Sequence, residues 1–263
     1  MYNPLDLTKK IEKLVCKNSF RKYYRFRAAR FYGGIASADC VGCNLRCYFC
    51  WSNDPAREGK IGKFYSSRQV AEKLIRIAVK HNFGLVRITG NEPTLCREHL
   101  FDVLENIPEN LLFILETNGI LLGSDESFVE SLARFRNHLF VRISLKGSNS
   151  EEFSKLTGAI PDAYKLQLRA LEYCIKYKIP CRAAILYDLI NKQNLTNLQK
   201  RLLRIHPLLS DLEFEYLILY PHVEKRLRKA GLLWFTLLIP LLTKKEKGIF
   251  FEDIIIHIRF TMY

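Results

Sequence analysis

Cys40, Cys43, Cys47 and Cys50 fall within one short segment, Asp39-Cys40-Val41-Gly42-Cys43-Asn44-Leu45-Arg46-Cys47-Tyr48-Phe49-Cys50-Trp51. Thiolates this close together can serve one metal centre. Cys43, Cys47 and Cys50 have the spacing Cys-x3-Cys-x2-Cys, so a single loop can hold three corners of a compact cluster. An iron–sulfur cube normally takes four protein thiolates; a loop that supplies three leaves one iron open to a small ligand. The competing arrangement is zinc, with Cys40-x2-Cys43 and Cys47-x2-Cys50 as four tetrahedral thiolates. Common zinc modules separate such pairs by roughly a dozen residues or more, whereas only Asn44, Leu45 and Arg46 intervene here. The spacing favours iron–sulfur chemistry and leaves Cys40 ambiguous.

A loop of this kind needs a scaffold, and the rest of the chain supplies one. Of its 263 residues 48% are hydrophobic, enough for one sizeable core. Six β-rich segments, at 34–38, 85–89, 111–117, 140–145, 181–187 and 213–219, have helical patterns between most of them, which implies parallel strands with crossover helices. One helix opens on Ser66-Ser67-Arg68-Gln69, a capping box, and continues with Val70, Leu74, Ile77 and Ala78 on one face. Others are expected at 97–107, 124–135, 163–177 and 194–205. Periodicity alone leaves two α/β folds open, a doubly wound sheet and an incomplete barrel.

The chain divides by pattern into a basic N-terminal helix and extension (1–32), the α/β region (33–231) and an apolar C-terminal tail (232–263). The other four cysteines, Cys16, Cys96, Cys174 and Cys181, are scattered. No secretory signal precedes them, so a disulfide scaffold is not expected, and the expected compartment is cytoplasmic. The apolar run from Leu232 to Leu242 is interrupted by Thr236 and Pro240 and falls short of the roughly 20 residues that span a bilayer, so no membrane partner is expected.

Several further motifs follow the cysteine loop in order, each at the C-terminal end of an expected strand. They are Thr89-Gly90-Asn91-Glu92-Pro93-Thr94-Leu95, Glu116-Thr117-Asn118-Gly119 and Ile143-Ser144-Leu145-Lys146-Gly147, with Glu151 to Gly158 next. With its aromatic before the last cysteine, the loop resembles that of the radical S-adenosylmethionine (SAM) superfamily. The segment Thr89 to Leu95 is similar to that family's Gly-Gly-Glu-Pro, and Glu116 to Gly119 to the Thr-Asn-Gly of the branch that activates glycyl radical enzymes. The likeness covers about residues 33 to 220.

The resemblance implies an incomplete (βα)6 barrel of parallel strands with outer helices, its cofactors at the mouth formed by the strand C-termini. Those cofactors are a [4Fe-4S] cluster and SAM. Cys43, Cys47 and Cys50 would each ligate one iron. The turn at Gly90, Asn91, Glu92 and Pro93 would meet the methionine amino group, with Asn118 nearby, Phe49 at the adenine, and Ser144 and Lys146 at the ribose or polar end. One electron, from a low-potential donor such as ferredoxin or flavodoxin, would cleave SAM and release a 5′-deoxyadenosyl radical that abstracts hydrogen. Asn91 stands where the family has a glycine, and Asn is the best non-Gly residue for positive φ. Cys174 and Cys181 have no close partners in sequence, so no second cluster is expected.

Membership would fix the initiating chemistry and leave the substrate open. The first reading is an enzyme that activates or modifies a protein. The alternative is a modifier of tRNA or a nucleotide-like small molecule, and the lesser alternative a non-catalytic iron–sulfur and SAM-binding protein. A net charge of +14 and the basic aromatic stretch Phe20 to Tyr32 fit a nucleic-acid partner, but such a stretch also fits a barrel edge with arginines lying over apolar surface.

Overall fold

Val141, Ile143 and Leu145 alternate with Arg142 and Ser144, so one face of that segment must bury against apolar neighbours while the other carries polar groups. The computed structural model, in which residues 1–233 are described, repeats this arrangement around a nine-stranded sheet. Its strands are β1 (Cys16–Lys17), β2 (Phe20–Ala29), β3 (Ile35–Cys40), β4 (Lys63–Ser66), β5 (Leu85–Thr89), β6 (Leu112–Thr117), β7 (Leu139–Leu145), β8 (Cys181–Leu186) and β9 (Glu213–Glu215). From β3 through β5, β6, β7 and β8 to β9 every pairing is parallel. These are the six strands of the partial barrel, each within a few residues of its expected place.

The helices are α1 (Pro4–Val15), α2 (Asp54–Arg57), α3 (Ser67–His81), α4 (Arg97–Asn106), α5 (Ile120–Ser124), α6 (Glu126–Leu132), α7 (Ser150–Thr157), α8 (Tyr164–Lys176), α9 (Lys192–Ile205) and α10 (Pro221–Lys229). The capping box forms as its residues demand, with Ser66 and Gln69 bonding reciprocally to each other's backbone. Val70, Leu74 and Ala78 of α3 join Val86 and Ile88 of β5, Phe113 and Leu115 of β6 and Val141, Ile143 and Leu145 of β7 in one core between sheet and helices. The alternate residues Ser37, Asp39, Arg87, Thr89, Glu116, Arg142 and Ser144 occupy the other face, which lines the barrel lumen.

The stretch from Phe20 is a sheet strand. β2 runs antiparallel to β3 and also pairs with β4 and β1. Arg21 and Tyr23 are fully buried, so its pattern is that of a strand with an arginine in the buried phase. β3 continues to Cys40, two residues past its expected end, because Tyr23 pairs with Cys40 on one side and Thr89 with Asp39 on the other. β9 stops at Glu215, earlier than expected. Beyond it the Leu217 N–H turns to the Asp188 carboxylate at 2.5 Å instead of extending the ladder.

The cysteines outside the loop are less scattered than their sequence positions. Cys16 and Cys96 form a disulfide, which corrects the expectation of free thiols there. The start of β1 lies against the start of α4, and both residues pack with Ile11, Val15, Val41 and Leu95. Cys174 and Cys181 are side-chain neighbours, and that mutual hydrogen bond together with burial pushes the Cys174 thiol up. No described helix is long and apolar enough to cross a membrane. The reading of a C-terminal tail falls, from residue 234 onward, outside the described residues; Leu232 and Leu233 are described and buried.

His99 ties α4 to the edge of the sheet, with Nε2 3.0 Å from the Tyr23 hydroxyl and Nδ1 2.8 Å from the Ser19 carbonyl. Burial, opposed by the bond to Ser19 and aided by the charge of Arg21, pushes His99 from 6.5 down to about 4. The unfolded chain therefore takes up this proton below pH 6.5 while the folded chain does not until about pH 4, so this contribution to stability is lost as pH falls across that window. Melting temperature measured from pH 7 to 4 should fall, and His99→Gln, less stable at pH 7, should show a shallower fall. An unchanged slope in the variant would refute this account.

Candidate functional site

Parallel strands carry their C-terminal ends to one rim, and the loop that follows β3 begins there. Its backbone is irregular and is held from several sides. The Gly42 and Cys43 N–H groups donate to the carbonyls of Ala56 and Arg57 at 2.8 and 3.0 Å, and the Tyr48 N–H to the Leu156 carbonyl at 3.0 Å. The turn after β5 is tied to the same loop through the Glu92 N–H, 3.0 Å from the Gly42 carbonyl.

Glu92 is completely buried. Its Oε1 accepts from the Thr94 N–H (3.1 Å), the Thr94 hydroxyl (2.6 Å) and the Thr117 hydroxyl (2.6 Å), and its Oε2 from the Asn118 N–H (2.8 Å). The carboxylate thus fastens the end of β5 to the end of β6. Beneath it, the buried Arg21 guanidinium donates to the carbonyls of Glu92 at 2.6 Å, Pro93 at 3.0 Å and Val41 at 3.5 Å. What this turn leaves for a ligand is main chain and one side-chain atom, Asn91 Oδ1. That atom is buried without a partner, while Nδ2 of the same residue donates to the Cys40 carbonyl at 2.8 Å. Positive φ falls on Gly90 (+101°), where a Cβ would lie 3.0 Å from the Asp39 backbone. Asn91 is not in that region, so the replacement of a glycine there costs the turn nothing.

Asn118 reaches into the loop as well, donating to Asn44 Oδ1 at 2.8 Å and lying 3.9 Å from Cys43 Sγ. Asn44 in turn donates to the Thr8 hydroxyl of α1. Burial, with help from the Glu92 charge, pushes the Cys43 thiol up to about 12; burial, opposed by Lys146, pushes Cys47 to about 11. Such thiols stay protonated at neutral pH until a cation replaces the proton. Among the described residues no three His, Cys, Asp or Glu side chains converge on one ion position. Cys40 shares the helix-facing side of β3 with Ala36 and Ala38 in the main core.

On the far side of the loop, Phe49 is half-buried and Lys146 Nζ lies 5.8 Å from its ring centre. Lys146 also donates to the Ser144 hydroxyl, which donates to Glu215 at 3.2 Å. The structure therefore gathers Phe49, Ser144 and Lys146 on one side of the cysteine loop and Asn91, Glu92 and Asn118 on the other. Deeper in the lumen, Arg87 pairs with Glu116 at 2.6 Å, Arg142 with Glu213 and Glu215 at 2.8 Å, and Arg25 and Arg27 with Asp39. Burial works against charge on Glu215, but Arg142 and Lys146 outweigh it and hold this carboxyl down at about 2.

Sequence reasoning missed Arg21, Arg57, Thr117, Gln167 and Arg226. Thr117 stood inside a quoted motif. Gln167, which donates to the Asn118 carbonyl at 2.5 Å, was counted only as part of a helix. The arginines carry no motif and become visible only through the carbonyls they meet.

Comparison with known proteins agrees with this arrangement. The model of the Radical SAM superfamily matches residues 39–204. The chain belongs to that superfamily. It is 29% identical over 143 residues to a probable GTP 3′,8-cyclase of Thermococcus kodakarensis, covering 53% of this chain and 43% of that protein. It is 31% identical over 114 residues to a 7-carboxy-7-deazaguanine synthase of Methanothermobacter thermautotrophicus, covering 43% of this chain and 41% of that one. The matches span less than half the length of these relatives. Among solved structures, SuiB of Streptococcus suis bound to its precursor peptide SuiA matches 77% of this chain and 45% of its own, with a TM-score of 0.57 and 19% identity, a likeness of fold. Members of this superfamily use a [4Fe-4S] cluster and SAM.

The site residues fit those groups. The loop offers three thiols spaced for separate irons, Asn91 offers an unpaired buried acceptor, and Arg57 and Arg226 leave buried Nε–H donors without partners beside the loop. Glu92→Ala strands four donors and should lower stability by about 2–4 kcal/mol, against about 1 kcal/mol for Asn91→Ala, which loses one hydrogen bond. Urea denaturation of the apoprotein measures both, and equal losses would show that Glu92 does not carry the junction.

Proposed function

We propose that this enzyme acts on a purine-nucleotide-like small molecule bound in the barrel lumen, with Cys43, Cys47 and Cys50 as the cluster ligands. The observation that carries the substrate class is the pair of relatives named for chemistry on GTP and on a deazaguanine. It favours the nucleotide-like alternative over protein modification. The polar lumen supports it too, because the paired charges of Arg87, Glu116, Arg142 and Glu213 can meet both the donor and acceptor edges of a base and its anionic groups. The basic stretch from Phe20 gives no separate support for nucleic acid, since Arg21 is buried against carbonyls and Arg25 and Arg27 are paired with Asp39.

When bound and reduced by a low-potential donor such as a ferredoxin or flavodoxin, the cluster and SAM supply a 5′-deoxyadenosyl radical for hydrogen abstraction. The chain's own residues hold and orient. Asn91 Oδ1 and the turn backbone receive the methionine amino group, Glu92 and Arg21 keep that turn in register with the loop, and Asn118 braces Cys43. Phe49 offers an apolar face to the adenine, and Lys146 and Ser144 offer donors to the ribose.

The test is anaerobic reconstitution with iron and sulfide, followed by dithionite and SAM in the presence of deuterated guanine nucleotides, peptides or RNA. The expected result is about four irons per chain and deuterium in 5′-deoxyadenosine from the nucleotide. Replacing Cys43, Cys47 or Cys50 by Ala should abolish the cluster, while Cys40→Ala should keep it. Deuterium transfer from peptide or RNA alone would overturn the substrate class.

A further inference from the structure

Each cysteine of the motif has its main-chain carbonyl held by a different arginine. Arg46 donates to the Cys43 carbonyl at 2.5 Å and to that of Leu45 at 2.9 Å. Arg57 donates to the Cys47 carbonyl at 2.9 Å. Arg226 donates to the Cys50 carbonyl, and at 3.2 Å to that of Ser52. From the same helix, α10, His222 Nε2 lies 2.8 Å from the Trp51 carbonyl and donates to it. The apolar side of α10, Val223 and Leu227, packs with Leu156, Leu232 and Leu233 against Tyr48 and Phe49. One side of this helix is therefore anchored while its polar side lies along Cys50–Ser52.

The arginines that hold the loop have few carboxylate partners. Arg57 and Arg226 share one carboxylate, Asp54, at 2.5 and 3.1 Å. Arg46 has no carboxylate at ion-pair distance among the described residues, and the Nε–H groups of Arg57 and Arg226 are buried without partners. Buried positive charge of this kind is costly unless an anionic group stands beside it, and a cluster held by thiolates is such a group.

We infer that α10 belongs to the cluster housing: Arg226, together with Arg46 and Arg57, is a positioning residue that fixes the carbonyl of each ligating cysteine and keeps positive charge beside the cluster. On reduction the cluster takes one electron from its external donor and becomes one unit more negative. Fixed positive charge nearby stabilises that state and raises the reduction potential. The inference rests on Cys43, Cys47 and Cys50 being the iron ligands and is independent of the substrate.

The experiment compares wild type with Arg226→Lys, Arg226→Gln and Arg226→Ala. In the apoprotein, deuterium labelling of the backbone amides at Cys50–Ser52, followed by mass spectrometry, should quicken several-fold in Arg226→Ala while that around Cys43 is unchanged. In reconstituted protein without SAM, the midpoint potential followed by electron paramagnetic resonance should fall in the Gln and Ala variants and return toward wild type with Lys. Should Arg226→Ala not fold, Arg226→Gln, which keeps hydrogen-bond donors but loses the charge, carries the test. Iron-loaded variants with wild-type potential and wild-type labelling would overturn the inference. Failure of the ligand assignment looks different, because the wild-type protein itself would then not hold about four irons, and the inference falls with it.

Discussion

A carboxylate with no exposed surface must have its lone pairs filled from within the protein, and at Glu92 the donors come from two strand ends. Thr94 belongs to the turn after β5, and Thr117 and Asn118 to the end of β6. The junction fixes more than two loops. Asn118, oriented by its N–H bond to Glu92, turns its amide toward Asn44 and Cys43, and the Glu92 N–H reaches Gly42 at the start of the cysteine loop. Without this carboxylate the end of β6 would lose its tie to the turn after β5, and Asn118 would be free to place its amide differently.

The sheet separates two kinds of interior. On the helix side, Val, Ile, Leu and Ala fill a close-packed core whose contribution comes from apolar burial. On the lumen side, Arg87, Glu116, Arg142, Glu213 and Glu215 bond mostly to one another. Ion pairs so enclosed recover little net stability, because desolvation offsets their attraction. Their value lies in fixed geometry, since a preorganised set of charges can read a polar ligand without rearranging. Strand pleating alone produces this division, because residues two apart share a face.

How much of this was legible from the sequence depends on how local each signal is. The six parallel strands follow from short β-branched runs spaced by helical periods, and the capping box at Ser66 and Gln69 needs only four residues to be recognised. The order of the rim motifs was legible for the same reason, each being a few consecutive residues at a strand end. β2 was not read as a strand because its buried phase includes Arg21, and an arginine in that position looks solvated until its carbonyl partners are known. The Cys16–Cys96 disulfide and the grip of α10 on Cys50 join residues distant in sequence. No local pattern encodes such pairs.

The excess of basic residues has the same explanation in part. An irregular loop that must present side chains to ligands cannot satisfy its carbonyls in a ladder, yet buried carbonyls need donors. A guanidinium, planar and with five N–H groups, can serve several carbonyls at once from one fixed position, which a lysine ammonium does less well. Arg21 does so for Val41, Glu92 and Pro93, Arg46 for Cys43 and Leu45, and Arg226 for Cys50 and Ser52. Arg25, Arg27, Arg87 and Arg142 are held instead by carboxylates of the lumen. A net charge of +14 thus includes cations, Arg21, Arg46 and Arg226 among them, whose place is against the carbonyls of the rim, and it measures the demands of that loop as much as the character of the outer surface.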